Sequence, residues 1–307
     1  MKITEITAAE YKEVFKRTQH IYNSVEFSEL NKYKVEKLHY LFFEDTKIRF
    51  GIVLGENADN LLSPFSAPFG GLCFNKQQNI EFIDEAVQQL KSFGEEHHKK
   101  TIITLPPTIY EQCQTVQCIN SLSRAGKISY NEINYHFNIP YFNNYESIIE
   151  RNARKNLHKA LKEEFTFTHV CNDNTEDIIR AYNVIKANRE EHGYPLRMSV
   201  ENVLNTIKII PADFFILTHS GCDVAAAQIF HVADGICQVI YWGDLRQYNS
   251  IRPMNYLAYR IFEHYYKEGI RILDIGPSTE HGIPNYGLCN FKESIGCTVS
   301  SRFTFEL

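Results

Sequence analysis

Hydrophobic and polar positions recur with two different periods along this chain, and the changes of period mark out its elements. Residues 8–20 read as a helix, while 39–43 and 48–54 read as paired strands around the turn Glu44-Asp45-Thr46-Lys47. Ile83, Val87, Leu90 and Phe93 return at the spacing of one helix face, and 101–105 follows as a short apolar strand. Between these stretches Pro64, Pro68, Gly70 and Gly71 break any regular pattern, which predicts an irregular surface segment. The clearest period of two comes next. Ile133, Tyr135, Phe137 and Ile139 alternate with Asn134, His136 and Asn138, as a strand with one buried face requires.

Pro140 and the polar pair Asn143-Asn144 then predict a boundary, giving two domains over 1–140 and 141–307. In the second, helices are predicted at 146–164, 174–192 and 253–268. Strands are predicted at 165–171, 214–218, 224–232, 236–242, 271–275 and 299–305. Pro253 stands where the third helix begins, since its missing N–H costs nothing in a first turn. Leu257, Ile261 and Tyr265 carry that helix towards Gly269. The next strand leaves through Gly276-Pro277-Ser278, which must turn sharply and leads to the pair Phe291-Lys292. Strand–helix–strand order in both halves predicts an α/β (α+β) fold of two similar units, each a mixed sheet flanked by helices. No residue-level repeat accompanies that likeness.

Composition narrows the classes of function. The 307 residues are 44% hydrophobic and 13% aromatic, enough for well-formed cores. A net charge of −5 argues against general nucleic-acid affinity, and DNA is not an expected partner. No charged start followed by an apolar run and no spanning stretch is evident, so the reading is a cytoplasmic protein without membrane insertion. Eight cysteines without a C-x-x-C pair and twelve histidines without a ligand-spaced motif predict reduced thiols and no metal.

Several short segments carry a resemblance. They are Arg151-Asn152-Ala153-Arg154-Lys155-Asn156-Leu157, His192-Gly193-Tyr194-Pro195, Arg252-Pro253-Met254-Asn255-Tyr256, Leu273-Asp274-Ile275-Gly276 and Phe291-Lys292-Glu293-Ser294-Ile295-Gly296. Together they resemble the GNAT-like Fem-type family of aminoacyltransferases, which extend peptidoglycan stem peptides without the ribosome, and its tandem-GNAT relatives. The resemblance implies two GNAT-like units and transfer of an acyl or aminoacyl group by direct attack on an activated donor. Acyl-CoA and aminoacyl-tRNA are the donors it admits, with tRNA as the corresponding partner. The acceptor class is a small cytoplasmic molecule, such as a nucleotide-linked sugar or cell-envelope precursor. Two features depart from the pattern. The loop from Gly243 to Arg252 lacks the closely spaced glycines that bring backbone N–H groups to a CoA pyrophosphate. The long helical hairpin that some Fem-type enzymes use for RNA is missing from the pattern too.

Candidate residues follow from the chemistry. Acyl transfer needs a polarised carbonyl, an acceptor held nearby and a place for its proton. Lys292, next to Phe291, matches the family's donor-site pair and is expected to stabilise charge on a carbonyl or phosphate. Asp244 and Tyr241 end a neighbouring strand and are expected to face the same cleft and meet the acceptor, whereas Asp274 is expected to brace the turn after it. Arg151, Arg154 and Lys155 lie on a helix with no acidic residue between 151 and 162 and are expected to hold phosphate. Arg252 and Tyr256, at a helix start, are expected to meet an anionic donor. No Ser-His-Asp or Cys-His nucleophile is visible. Two other readings stay open: an acetyl-CoA-dependent N-acetyltransferase, and a catalytically silent binding module on the same scaffold. Oligomeric state is open as well.

Overall fold

The computed structural model describes residues 1–171 and 173–307, which divide into two compact units. The first comprises Met1–Ile133 with Thr279–Ile283 and Ser300–Leu307; the second comprises Asn134–Ser278 with Pro284–Val299. The division therefore falls inside a strand, a few residues before Pro140, and the last residues of the chain return to the first unit.

The first unit carries β1 (Lys2–Ile6), β2 (Lys37–Glu44), β3 (Ile48–Glu56), β4 (Asn60–Ser63) and β5 (Lys100–Thr104), in that spatial order. All neighbours are antiparallel except β4 and β5, the parallel pair. Its helices are α1 (Ala8–Val14), α2 (Val25–Asn31), α3 (Ile80–Glu96) and α4 (Gln112–Ala125). The expected face of Ile83, Val87, Leu90 and Phe93 packs with Leu41, Phe43, Ile52 and Ile103 in one core. Thr7 starts α1 with a capping box to Glu10, but the helix ends at Val14, short of the expected span.

The second unit contains β6 (Lys127–Asn138, which begins in the first unit), β7 (Phe165–Val170), β8 (Ala212–His219), β9 (Cys222–Ala233), β10 (Ile236–Asp244) and β11 (Ile272–Pro277). The order is β6-β11-β10-β9-β8-β7. β10 and β11 are parallel; the β6–β11, β10–β9, β9–β8 and β8–β7 pairs are antiparallel. β12 (Thr279–Glu280) and β13 (Ile283–Pro284) form a small hairpin, and β14 (Thr298–Glu306) pairs with β5. Helix α5 (Tyr145–Ile148) and α6 (Arg151–Ala160) replace the single helix expected at 146–164; Ile149 takes extended dihedrals between them. The remaining helices are α7 (Thr175–His192), α8 (Val200–Thr206), α9 (Pro253–Lys267) and α10 (Tyr286–Ser294). One sheet face meets α6 and α9 through Ala153, Leu157, Leu257, Ile261 and Phe262, and the other meets α7.

One expectation is corrected here. β6 is not half-buried: Asn134 and His136 are covered as fully as Tyr135 and Phe137, while Ile133 is exposed. Its polar face is partly paired, Asn134 donating to Asp274 at 2.8 Å and His136 Nε2 lying 3.0 Å from the Thr298 hydroxyl, while His136 Nδ1 is buried without a partner. Burial of such groups is tolerable only with these partners. Among the described residues, no helix is long and apolar enough to cross a membrane.

Candidate functional site

Parallel strands β10 and β11 pair over three positions only, Ile236 with Ile272, Cys237 with Leu273 and Gln238 with Asp274. Both then bulge against their outer neighbours, β10 between Val239 and Tyr241 and β11 between Asp274 and Gly276. The ladder ends there although both strands continue, so they splay. Main-chain groups of β10 beyond Gln238 have no ladder partner on the β11 side, and the opening is a natural place for a polar ligand. Asp274 stands at the fork. Its carboxylate accepts from Asn134, from the Gln238 side chain at 2.7 Å and from the Gly276 N–H at 2.9 Å, the bracing role expected of it.

The outer end of β10 is held against α7. Asn188, in the last turns of α7, donates to the Asp244 carbonyl at 2.7 Å. Only glycine fits at 243, because a Cβ there would stand 2.3 Å from the Asn188 side chain. Gly193, with φ of 66°, ends α7 in the left-handed conformation and turns Tyr194 back so that its N–H reaches the Arg189 carbonyl. The Tyr194 ring stacks on His192, and its hydroxyl accepts from Asn285 at the start of α10. The Arg189 guanidinium lies 4.9 Å from the Tyr241 ring centre and 5.8 Å from that of Tyr194. Burial pulls its pKa down, and its Nε is buried without a protein partner. The Gln228 amide, beside Tyr241 on β9, is orphaned in the same way. Two such groups next to one tyrosine leave unspent hydrogen-bonding capacity at this point of the unit.

Asp244 closes the strand. Burial, with repulsion from Glu191, lifts its carboxyl pKa to about 6, against the attraction of His192. Tyr241 and Asp244 stand three positions apart at the open end of β10, and the charges that reach the Asp244 carboxyl are those of His192 and Glu191 in the last turn of α7.

Lys292 lies on α10 and is only 5% exposed. Its ammonium donates to the carbonyls of Ile275, Gly276 and Pro277 at 3.0, 2.8 and 3.1 Å. All three lie at the exit of β11, so the charge serves the protein's own backbone. Burial draws its pKa down to about 8, with Cys297 and Asp274 acting the other way. Phe291, one residue back, meets the edge of Trp242 with ring centres 6.1 Å apart.

The remaining expected residues lie elsewhere in the unit. Arg151 and Lys155 are exposed on α6, and Arg154 is partly covered, with Nη2 reaching the Ile149 carbonyl at 3.3 Å. The Glu150 N–H donates to Ser294, so α6 starts beside the end of α10. Arg252 is exposed at φ of 60° immediately before Pro253. Tyr256 is a core residue, its ring packed on Phe165 and its hydroxyl accepting from Arg260 at 3.0 Å. The loop before α9 winds as a 3-10 helix over Arg246–Ile251, so part of its N–H complement is spent internally. Neither the enclosed space of about 20 Å³ beside His20 and Tyr110 nor the open groove of about 500 Å³ beside Tyr40 touches these residues; both belong to the first unit.

The large mixed sheet, the helices about it and the splayed parallel pair define a GNAT-like fold of the Fem type. The chain is similar over 100% of its length to the crystal structure of FemX, covering 97% of that chain at 13% identity with a TM-score of 0.68. A C-terminal domain assigned to a lysylphosphatidylglycerol synthetase from Agrobacterium fabrum is similar over 98% of this chain and 92% of its own, at 12% identity and a TM-score of 0.62. A tandem GNAT protein from the clavulanic acid biosynthesis pathway is similar over 99% and 97%, at 7% identity and a TM-score of 0.57. No family model matches the sequence, and no curated protein does.

Proposed function

We propose that the second unit transfers an acyl or aminoacyl group to an amine at the open ends of β10 and β11. The observation that carries this reading is the splay itself, with a carboxyl of raised pKa at its rim and the orphaned Arg189 beside it. The acceptor nitrogen attacks the donor carbonyl carbon; the new C–N bond forms as the C–S bond of a thioester, or the C–O bond of an ester, breaks. Asp244 takes the proton lost by the amine, and the departing sulfur or oxygen leaves with a proton from solvent. Unladdered N–H groups of β10 face the developing oxyanion. Arg189, framed by Tyr241 and Tyr194, holds an anionic group of donor or acceptor. Lys292 is a positioning residue that keeps the β11 exit in place, and Phe291 supports Trp242. Arg151, Arg154 and Lys155, with Arg252, supply phosphate contacts for a nucleotide-linked, CoA or tRNA-borne substrate.

The winding of Arg246–Ile251 favours an aminoacyl-tRNA ester over acetyl-CoA as donor, because N–H groups engaged in a 3-10 helix are not offered to a pyrophosphate. A thermal-shift screen with acetyl-CoA, longer acyl-CoA thioesters, UDP-sugars and aminoacyl-tRNA tests the reading. The expected result is stabilisation by one of these classes, followed by transfer that Asp244→Asn abolishes. Stabilisation without any transfer would convert the site into a binding module.

A further inference from the structure

At the other end of β10 from Asp244, a second group of polar side chains converges. Asp213 opens β8, His169 lies on β7, His231 on β9, and His264 and Tyr265 in the last turn of α9. The Asp213 carboxylate is the hub. One oxygen lies 2.8 Å from His169 Nε2; the other is 2.6 Å from His231 Nε2 and accepts from the Tyr265 hydroxyl at 2.8 Å. The His264 ring centre stands 4.6 Å from that of His169, and Phe215 packs against both imidazoles. One ligand atom each from His169, Asp213 and His264 falls within 4.8 Å of the others. Cys237, next to His231 at 3.5 Å, is seven residues from Asp244 along β10, which at the strand rise puts this cluster roughly 20 Å from the proposed transfer site.

We propose that His169, Asp213 and His264 bind a zinc ion. Two neutral imidazoles and one carboxylate are a donor set suited to a borderline divalent metal, with water filling the fourth position. Tetrahedral ligands at zinc distances sit about 3.3 Å apart, so the present separations close with side-chain adjustments alone. His169 Nε2 then exchanges its hydrogen bond to Asp213 for the metal, a neutral ring carrying its proton on Nδ1 instead and an imidazolium releasing one proton to solvent. The surroundings are those of an organised metal site. His231 and Tyr265 fix the carboxylate through its second oxygen, leaving the first directed at the ion, while Phe215 orients the two rings. His169 is partly exposed, which gives the ion a route in. Bound there, zinc ties edge strand β7 to β8 and to the end of α9, three elements distant in sequence.

The test uses the full chain, treated with chelator and dialysed, titrated calorimetrically with zinc chloride at pH 7.5. One ion per chain is expected, with affinity lowered at least about tenfold in His264→Ala and in His169→Ala. Asp213→Asn also disturbs Tyr265 and His231, so the two histidine variants carry the test, with folding checked by circular dichroism. His281→Ala, in an exposed loop, is the control and should bind as the unaltered chain does. Cobalt(II) should give visible absorption bands of tetrahedral intensity that are lost in His264→Ala. No binding by the unaltered chain, or equal binding by it and both histidine variants, overturns the proposal.

Discussion

Asp244 and Gly243 show how much of the candidate site depends on single atoms. The raised carboxyl pKa arises from burial at the strand end, and it sets a pH at which the residue changes role. If Asp244 accepts the amine proton, turnover should climb about tenfold per pH unit below about 6 and level off above it. Asp244→Asn should lose the limb together with about 100-fold or more in rate; a pH–rate profile on an identified substrate pair checks both. Gly243→Ala tests the support. The added Cβ meets Asn188, so α7 must retreat or the bond to the Asp244 carbonyl must break, at a cost of about 1–3 kcal/mol measurable by urea denaturation. Arg189 was readable in principle: it continues the buried row of Ile178, Tyr182 and Ile185 on α7, where an arginine has no routine place. What the row could not show is that two tyrosines, one from β10 and one from past Gly193, would frame it.

Among the elements, α9 was legible because its apolar positions keep helical spacing, and β8, β9 and β11 because each is a nearly continuous apolar run of strand length. Helix α10 was not. Of its nine residues only Cys289 and Lys292 are buried, so no apolar stripe announces it. The helix that carries Lys292 changes what the lysine does, because from α10 the ammonium meets the three carbonyls at the β11 exit. Lys292→Met should leave those acceptors buried and unmatched, lowering stability by roughly 2–3 kcal/mol. Turnover should fall in the fraction that still folds. Unchanged stability in denaturation, with activity lost, would instead return Lys292 to direct contact with the donor. α6 keeps the cationic face that its sequence promised, with Arg151 and Lys155 in solvent. Arg151→Ala should shift stability by less than about 0.5 kcal/mol while weakening whichever anionic ligand the screen identifies, as read by titration at low salt. Equal affinity would mark the face as solvated only.

At the scale of the molecule, the class of fold was readable and the long-range polar pairings were not. Two runs of strand–helix–strand order are enough to point to two α/β units, whereas Asn134 and Asp274 are 140 residues apart and no local pattern links them. The same holds for His169, Asp213 and His264, which come from three elements and carry no ligand spacing. Global stability offers a way to separate function from structure at Asp244. Its folded pKa, about 6, lies above the ordinary 3.8, so between these values the native state holds the proton more firmly than the unfolded chain. Stability of the second unit must therefore fall as pH rises from about 4 to about 6, and the penalty persists at pH 7. Asparagine carries no charge to bury, so Asp244→Asn should unfold at higher urea concentration than the unaltered chain at pH 7. The gain should be of the order of 2–3 kcal/mol and should vanish near pH 4. A variant that is more stable and unable to transfer an acyl group is the signature of a carboxylate kept at energetic cost for its chemistry. Destabilisation by the same substitution would show that the carboxylate is held for structure, and the transfer mechanism would need another base.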